Sequence, residues 1–175
     1  MALLMKRPEN MLEVYKLLPE GTPIQLINNR FYMSPAPLFK HFETVDAIVE
    51  ALKEAVKKND SGKVVFAPVD VYLGSKNAFQ PDIMFIHKNN FGIIKEDGIH
   101  GAPDIIVEVL SPGNKNDDLI KKKDVYESFG VKEYFIVEPF DKAVITYYLK
   151  NAVFEEQKKS KGKLVSKLLK KVIPF

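Results

Sequence analysis

The 175-residue sequence contains no cysteine and no tryptophan, and no apolar run approaches the roughly 20 residues that cross a bilayer. Without cysteine the chain cannot form disulfides, use a thiolate nucleophile or hold zinc or iron–sulfur clusters through thiolates. The first six residues are too few to form the apolar region of a secretory signal. These absences predict a cytoplasmic protein with no membrane partner.

A large net charge is also lacking, because 26 Lys+Arg against 23 Asp+Glu leave only +3. Such a value identifies a nucleic-acid-binding protein only if the charges are segregated. The hydrophobic fraction of 46% supplies a core, and the length suits one domain over residues 1–175. Seven lysines in residues 158–175 form a basic C-terminal segment, which is interpreted either as a solvated terminal segment or as a face for phosphate contacts.

Three common catalytic motifs are missing: a glycine-rich phosphate loop, a Gly-x-Ser-x-Gly elbow and a His-Glu-x-x-His helix. Their absence removes the main support for a nucleotide kinase, a serine hydrolase or a zinc protease.

The apolar pattern predicts an α/β (α+β) fold. It begins with a helix over residues 10–18 and a hairpin of 24–27 and 30–33 around Asn28 and Asn29. A long helix follows Ser34 and Pro35, with a buried stripe from Phe42 to Val56. Residues 63–66, 70–73 and 81–86 are predicted to supply two or three strands of one sheet. The remaining predictions are a central strand over 104–110, a helix over 117–129, and strands over 133–137, 143–149 and 152–156.

Two carboxylates stand where an isolated buried charge is costly. Asp82 begins one apolar strand and Glu108 lies inside another. Either a cation lies between them, held also by the neighbouring Val109 carbonyl, or each carboxylate forms a salt bridge with a Lys or Arg. Oxygen ligands of this kind suit Mg²⁺, for which Mn²⁺ can substitute.

Further candidate residues surround this pair in the sequence. Lys121, Lys122 and Lys123 could each supply the positive group of a hydrolytic site, and spacing alone does not choose among them. Asp104 shares a strand face with Glu108 and could be a third metal ligand. The favoured interpretation is that Asp104 is a structural residue at the start of the strand. His41 either faces the cleft or stays on the helix surface, and His87 is interpreted as structural.

Several of these segments together resemble the Uma-two family of endonucleases, whose fold is similar to the PD-(D/E)XK restriction endonucleases. The resemblance covers about residues 12–169. It is carried by Pro81-Asp82, the stretch 102–112, the spacing Asp118-x-x-x-Lys122-x-x-x-Tyr126, and the stretch 130–139.

The resemblance implies a mixed central sheet flanked by helices, with an N-terminal helix and hairpin. It implies that Asp82 and Glu108 bind Mg²⁺ and that Lys122 replaces the lysine usually found where this chain has Leu110. Lys121 and Lys123 then contact solvent or phosphate. One departure is Gln25, which stands where relatives carry an acidic residue.

The implied function is a metal-dependent endonuclease that hydrolyses phosphodiester bonds in DNA, with a homodimer possible through edge strands or through residues 147–149. The alternative is a catalytically inactive module of the same fold that binds nucleic acid or a protein partner.

Overall fold

The computed structural model describes residues 7–19, 21–33, 36–57, 60–111 and 117–175. The helices are α1 (Met11–Lys16), α2 (Phe39–Lys57), α3 (Asp117–Ser128) and a 3₁₀ helix (Lys88–Ile93). The first eight strands are β1 (Ile24–Ile27), β2 (Arg30–Met33), β3 (Gly62–Phe66), β4 (Val71–Tyr72), β5 (Ala78–Phe79), β6 (Ile83–His87), β7 (Ile94–Lys95) and β8 (Gly98–His100). The others are β9 (Ile105–Val109), β10 (Glu133–Val137), β11 (Ala143–Lys150), β12 (Val153–Glu156), β13 (Ser160–Lys161), β14 (Lys163–Ser166) and β15 (Lys171–Pro174).

The central sheet has the strand order β12-β11-β10-β9-β6-β3, and β13 also pairs with β11. Strands β9 and β10 are parallel, and α3 lies in the connection between them. The neighbouring pair of β6 and β9 is antiparallel, with Ile83 opposite Val107. Extending this register by one residue places Asp82 opposite Glu108. The antiparallel pairing therefore brings together two carboxylates that are 26 positions apart in the chain.

A second sheet has the order β2-β1-β5-β4-β8-β7. Of the segments 63–66, 70–73 and 81–86, the first and last pair in the central sheet as β3 and β6, so two of them share one sheet as predicted. The third, β4, belongs to this second sheet. Strands β5, β7 and β8 were not predicted. Each has only two or three residues, too few to show an alternating pattern.

The two faces of the central sheet carry different cores. On one face, Phe85 and Val107 pack with the buried stripe of α2 and with the hairpin of β14 and β15. On the other face, Met84 and Ile106 pack with α3 and with residues of the second sheet. Alternate residues of β6 and β9 divide between the faces, as the two-residue period of a strand requires.

The long helix differs from its prediction at its amino end. Ser34 and Pro35, predicted to cap it, lie outside the described residues, and α2 begins at Phe39. Phe42 was predicted in the buried stripe but is 58% exposed, whereas His41 is buried. His41 and Phe42 are four and three residues before Val45, so both lie near the face of the helix that carries Val45. The spacing alone therefore did not show which of the two is buried. The helix predicted over residues 117–129 ends one residue earlier, at Ser128, and Phe129 is 42% exposed.

The N-terminal hairpin follows the sequence prediction. Ile24 pairs with Met33 and Ile27 with Arg30, so that the turn consists of two residues. Asn28 and Asn29 have φ of 48° and 63°, the left-handed values that a tight hairpin turn needs and that asparagine tolerates.

The basic C-terminal segment is folded rather than a solvated tail. Strands β14 and β15 form a hairpin whose Leu164 and Ile173 are 0% and 2% exposed in the α2 core. The Tyr148 hydroxyl donates to the Val165 carbonyl, and the Leu168 amide donates to Glu133 at 2.7 Å. Strand β11 pairs with β10 on one side and with β12 and β13 on the other. Tyr148, which lies in the segment 147–149 expected as a possible dimer contact, is buried inside the protomer.

Among the described residues, no helix is both long enough and apolar enough to cross a membrane.

Candidate active site

Asp82 and Glu108 meet where β6 begins and β9 ends. The Val109 amide donates to Asp82 Oδ2 at 2.7 Å, so the carboxylate of Asp82 is held against the end of β9 beside Glu108. The N–H and C=O groups of one strand residue point toward the same neighbouring strand. The Val109 carbonyl therefore also points toward the β6 side, where Asp82 lies.

Glu108 is held by two side chains of α3. Lys122 Nζ lies 3.2 Å from Glu108 Oε1, and the Tyr126 hydroxyl donates to the same oxygen at 2.8 Å. Lys122 and Tyr126 are four residues apart and therefore project from one face of the helix. Burial raises the pKa of Glu108, an effect that the Lys122 charge opposes and the Asp82 charge reinforces. Burial beside the Glu108 carboxylate also raises the pKa of Tyr126 well above its usual value, so Tyr126 stays a proton donor.

His41 reaches the same point from α2, on the opposite face of the sheet. Its Nε2 lies 3.2 Å from Asp82 Oδ1, and its Nδ1 lies 3.3 Å from the Ser111 hydroxyl. Burial lowers the pKa of His41, but the hydrogen bond and charge of Asp82 outweigh it, and the net shift is upward. The structure thus places His41 at the cleft, the first of its two sequence interpretations.

Gln25 and Lys121 lie on the hairpin side of this site. Gln25 is buried and stands opposite Tyr32 in the hairpin, and Lys121 Nζ lies 4.8 Å from the Tyr32 ring centre. Gln25 shares its strand face with Ile27, which packs in the same core as Tyr126. The hairpin therefore faces α3 and its first turns.

Lys123 is directed elsewhere. Its Nζ lies 3.8 Å from Glu127 and within 6 Å of the Tyr147 and Phe154 ring centres, at 5.3 and 5.9 Å. These rings belong to β11 and β12, three and four strands along from β6. The structure therefore brings Lys122 to the carboxylates and places Lys123 outside the site.

Asp104 shares a face with Glu108 but stands at the other end of β9. Lys132 Nζ lies 2.6 Å from Asp104 Oδ1, while the His87 amide and the Asn90 side chain donate to Oδ2 at 2.8 and 3.2 Å. Burial raises the pKa of Asp104, but these donors outweigh it and the net shift is downward. His87 caps the 3₁₀ helix, because its Nδ1 accepts from the Asn89 amide at 3.2 Å.

The donor set at Asp82 and Glu108 fits a hard cation such as Mg²⁺. It offers two carboxylates and the Val109 carbonyl, and Mg²⁺ commonly binds through one or two carboxylates while water and substrate phosphate complete its shell. Glu108 Oε2 makes no hydrogen bond or ion pair with any residue that the structure describes. Within the described ranges, no three His, Cys, Asp or Glu side chains are grouped so that they could bind a metal. Such side chains alone therefore do not form a complete metal cage there.

Residues 9–169 match the sequence profile of the Uma2 family, described as "Putative restriction endonuclease". The chain belongs to the Uma2 family. This match confirms the family predicted from residues 81–82, 102–112 and 130–139 and from the spacing Asp118-x-x-x-Lys122-x-x-x-Tyr126.

A solved structure shares the fold of this Uma2-family chain. It is described as a "putative nuclease belonging to DUF820" from Anabaena variabilis, with a TM-score of 0.70 and 21% sequence identity, and the match covers 85% of this chain and 84% of the other. At this identity the likeness shows the fold, and it confirms the predicted mixed α/β class. No curated protein matches the chain.

Two polar residues of the site were not predicted as site residues. The sequence identifies Tyr126 only through the family spacing. Its position one helical turn after Lys122 could have indicated that both side chains contact Glu108. Ser111 carries no comparable signal, because its contact with His41 joins residues 70 positions apart.

Proposed function

We propose that this Uma2-family protein is a metal-dependent endonuclease that hydrolyses phosphodiester bonds in DNA. The observation that carries the proposal is the convergence of Asp82, Glu108 and Lys122 at the junction of β6, β9 and α3. Two carboxylates beside a lysine supply both the ligands for a divalent cation and a positive group for phosphoryl charge.

Each side chain has a distinct role in this proposal. Asp82 and Glu108, with the Val109 carbonyl, would hold Mg²⁺, which when bound favours deprotonation of a water and polarises the scissile phosphate. Lys122 donates hydrogen bonds to the phosphate or to the attacking water. Tyr126 holds the Glu108 carboxylate in place, and His41 does the same for Asp82.

Hydrolysis forms a bond from the water oxygen to phosphorus and breaks the bond from phosphorus to the leaving sugar oxygen. The water loses a proton, and the leaving oxygen gains one. The enzyme contributes orientation and positive charge, and no covalent intermediate with the protein is needed.

Metal binding is the first test, because it does not depend on knowing the substrate. Titration calorimetry with Mn²⁺ should detect a site in the wild type that is weakened in Asp82→Asn and Glu108→Gln by more than the roughly 10–100-fold typical of outer-shell changes. Asp104→Asn is the matched control, since it makes the same carboxylate-to-amide change at the far end of β9. Wild-type affinity in Asp82→Asn or Glu108→Gln would refute the assignment.

Cleavage of supercoiled DNA with Mg²⁺ tests the lysine. Lys122→Met should abolish nicking while Mn²⁺ binding is retained, whereas Lys123→Met should leave nicking unchanged because Lys123 contacts Tyr147 and Phe154 instead. Equal activity in Lys122→Met and the wild type would remove Lys122 from the mechanism.

The buried amide Gln25, where the resemblance expects an acid, favours one alternative: a module of the same fold that binds nucleic acid without cleaving it. Such a module would bind DNA with an affinity that falls with salt and does not respond to divalent metal. It would also show no Mn²⁺ site at Asp82 and Glu108.

A further inference from the structure

The small net charge of the protein conceals a strong segregation of charge. Residues 158–175 contain seven lysines and no acidic residue, whereas the other 157 residues carry 19 Lys+Arg and 23 Asp+Glu, a net charge of −4. A segment with +7 on a body with −4 is the kind of asymmetry that attracts polyanions.

The fold fixes this segment on the protein body. Strand β13 pairs with β11, and the hairpin of β14 and β15 inserts Leu164 and Ile173 into the core. The Phe175 amide donates to the Gly162 carbonyl at 3.1 Å, which closes the chain end onto the same corner. The lysines are thus presented on a rigid platform, and little conformational entropy of the backbone is lost when they bind a ligand.

Most of these lysines are exposed and not neutralised. Within the part of the chain that the structure describes, no acidic side chain pairs with Lys158, Lys159, Lys161, Lys163 or Lys170. Two acidic residues, Glu138 and Asp141, lie at this corner: the Glu138 amide donates to the Ala143 carbonyl, and the Ala143 amide donates to the Asp141 carboxylate, both at 2.9 Å. Their two negative charges offset only part of the seven positive charges of the segment.

The sheet register connects this platform to the proposed active site. Val109 stands opposite Val137 in β10, Val137 opposite Val144 in β11, and Val144 opposite Ser160 in β13. Lys161 lies one residue beyond this row, opposite Ala143, at the sheet end where β9 and β10 terminate. Three strand spacings separate β9 from β13, about 14 Å.

We propose that Lys161 and Lys163, with neighbouring lysines of residues 158–175, form a phosphate-backbone contact surface that holds a nucleic acid across the same sheet end as Asp82 and Glu108. The inference rests on the proposed function for the identity of its ligand. Its contacts are with phosphates, so the surface adds affinity without sequence preference.

The test measures binding of a fluorescent DNA duplex by fluorescence anisotropy at several salt concentrations. The buffer contains EDTA, so no metal-dependent cleavage occurs. Lys161→Gln/Lys163→Gln should reduce the salt slope by about 2, because each neutralised phosphate contributes about 0.9. The wild type should lose about tenfold more affinity than this variant between about 50 and 200 mM salt.

Lys88→Gln/Lys95→Gln is the matched control, with the same loss of two charges. Lys88 follows the far end of β6 and Lys95 lies in the second sheet, and both are exposed. The control should keep the wild-type slope. Equal weakening in both variants would indicate an effect of net charge alone and would overturn the inference, as would no change in Lys161→Gln/Lys163→Gln.

Two further outcomes separate this inference from the proposed hydrolysis. If the wild type binds Mn²⁺ at Asp82 and Glu108 but does not bind DNA in EDTA, the lysine surface is refuted and the nuclease proposal stands. If lysine-dependent DNA binding occurs without a Mn²⁺ site, the reverse holds. Lysine-dependent binding to anionic phospholipid vesicles with DNA binding unchanged would also overturn the inference.

Discussion

Replacing Lys122 by methionine is expected to destabilise the protein by about 3 kcal/mol at neutral pH, since removing one partner of a buried ion pair leaves an uncompensated charge. The side chains of Lys122 and Glu108 are only 8% and 9% exposed, and methionine keeps most of the buried volume. Tyr126 would still donate to Glu108 Oε1, which places the expected loss at the lower end of the usual range for such changes.

Lys122→Met should also make stability depend on pH. Burial already raises the pKa of Glu108, and loss of the Lys122 charge removes the main influence that lowers it. A carboxyl whose folded pKa lies above its unfolded value destabilises the protein when it ionises. The deficit of Lys122→Met should therefore shrink as the pH falls through the folded pKa of Glu108 toward its unfolded value of about 4.3.

Urea unfolding of metal-free protein measures this free energy, and a double-mutant cycle isolates the pair. In a Glu108→Gln background, Lys122→Met should cost much less, because no buried carboxylate remains to be compensated. Additive losses in the double variant, or a deficit that does not change with pH, would refute the view that Lys122 compensates a buried Glu108 charge.

Three further changes test other parts of the structure by urea unfolding. The pKa of His41 is raised, so its contact with Asp82 stabilises the fold fully below about pH 6.5 and loses that effect as the pH rises through the folded value. His41→Gln should therefore be most destabilising at acidic pH, and a deficit that grows toward alkaline pH would contradict this. The pKa of Asp104 is lowered, so Asp104→Asn should cost about 2 kcal/mol at neutral pH, with the deficit disappearing at strongly acidic pH. Unchanged stability would show that the Lys132 contact contributes nothing. Leu164→Ala should cost about 2–5 kcal/mol, whereas a cost below about 1 kcal/mol would mean that the C-terminal hairpin is not part of the core.

The sequence was informative where a local pattern has one physical solution. The Asn28-Asn29 pair between β-prone runs predicts a tight turn because asparagine tolerates the left-handed angles that the turn adopts. The nearly continuous apolar run 104–110 predicts a strand buried on both faces, and all five residues of β9 are buried. The same run made Glu108 conspicuous as a carboxylate that needs a partner.

Local patterns failed where two spacings were equivalent or where elements were too short. The inner face of α2 uses His41 rather than Phe42, and only packing against the sheet distinguishes two residues that both lie about one turn before Val45. The short strands β5, β7 and β8 depend on pairing partners, and their own residues carry no signal.

By itself, the sequence determined the class of fold and the unusual positions of Asp82 and Glu108, because hydrophobic periodicity and the cost of an isolated buried charge are local properties. Only the tertiary structure decided that these carboxylates share one strand end, that Lys122 rather than Lys123 meets them, and that His41 reaches them from the opposite face. Those contacts depend on antiparallel register and helix rotation, which are set by packing between segments far apart in the chain.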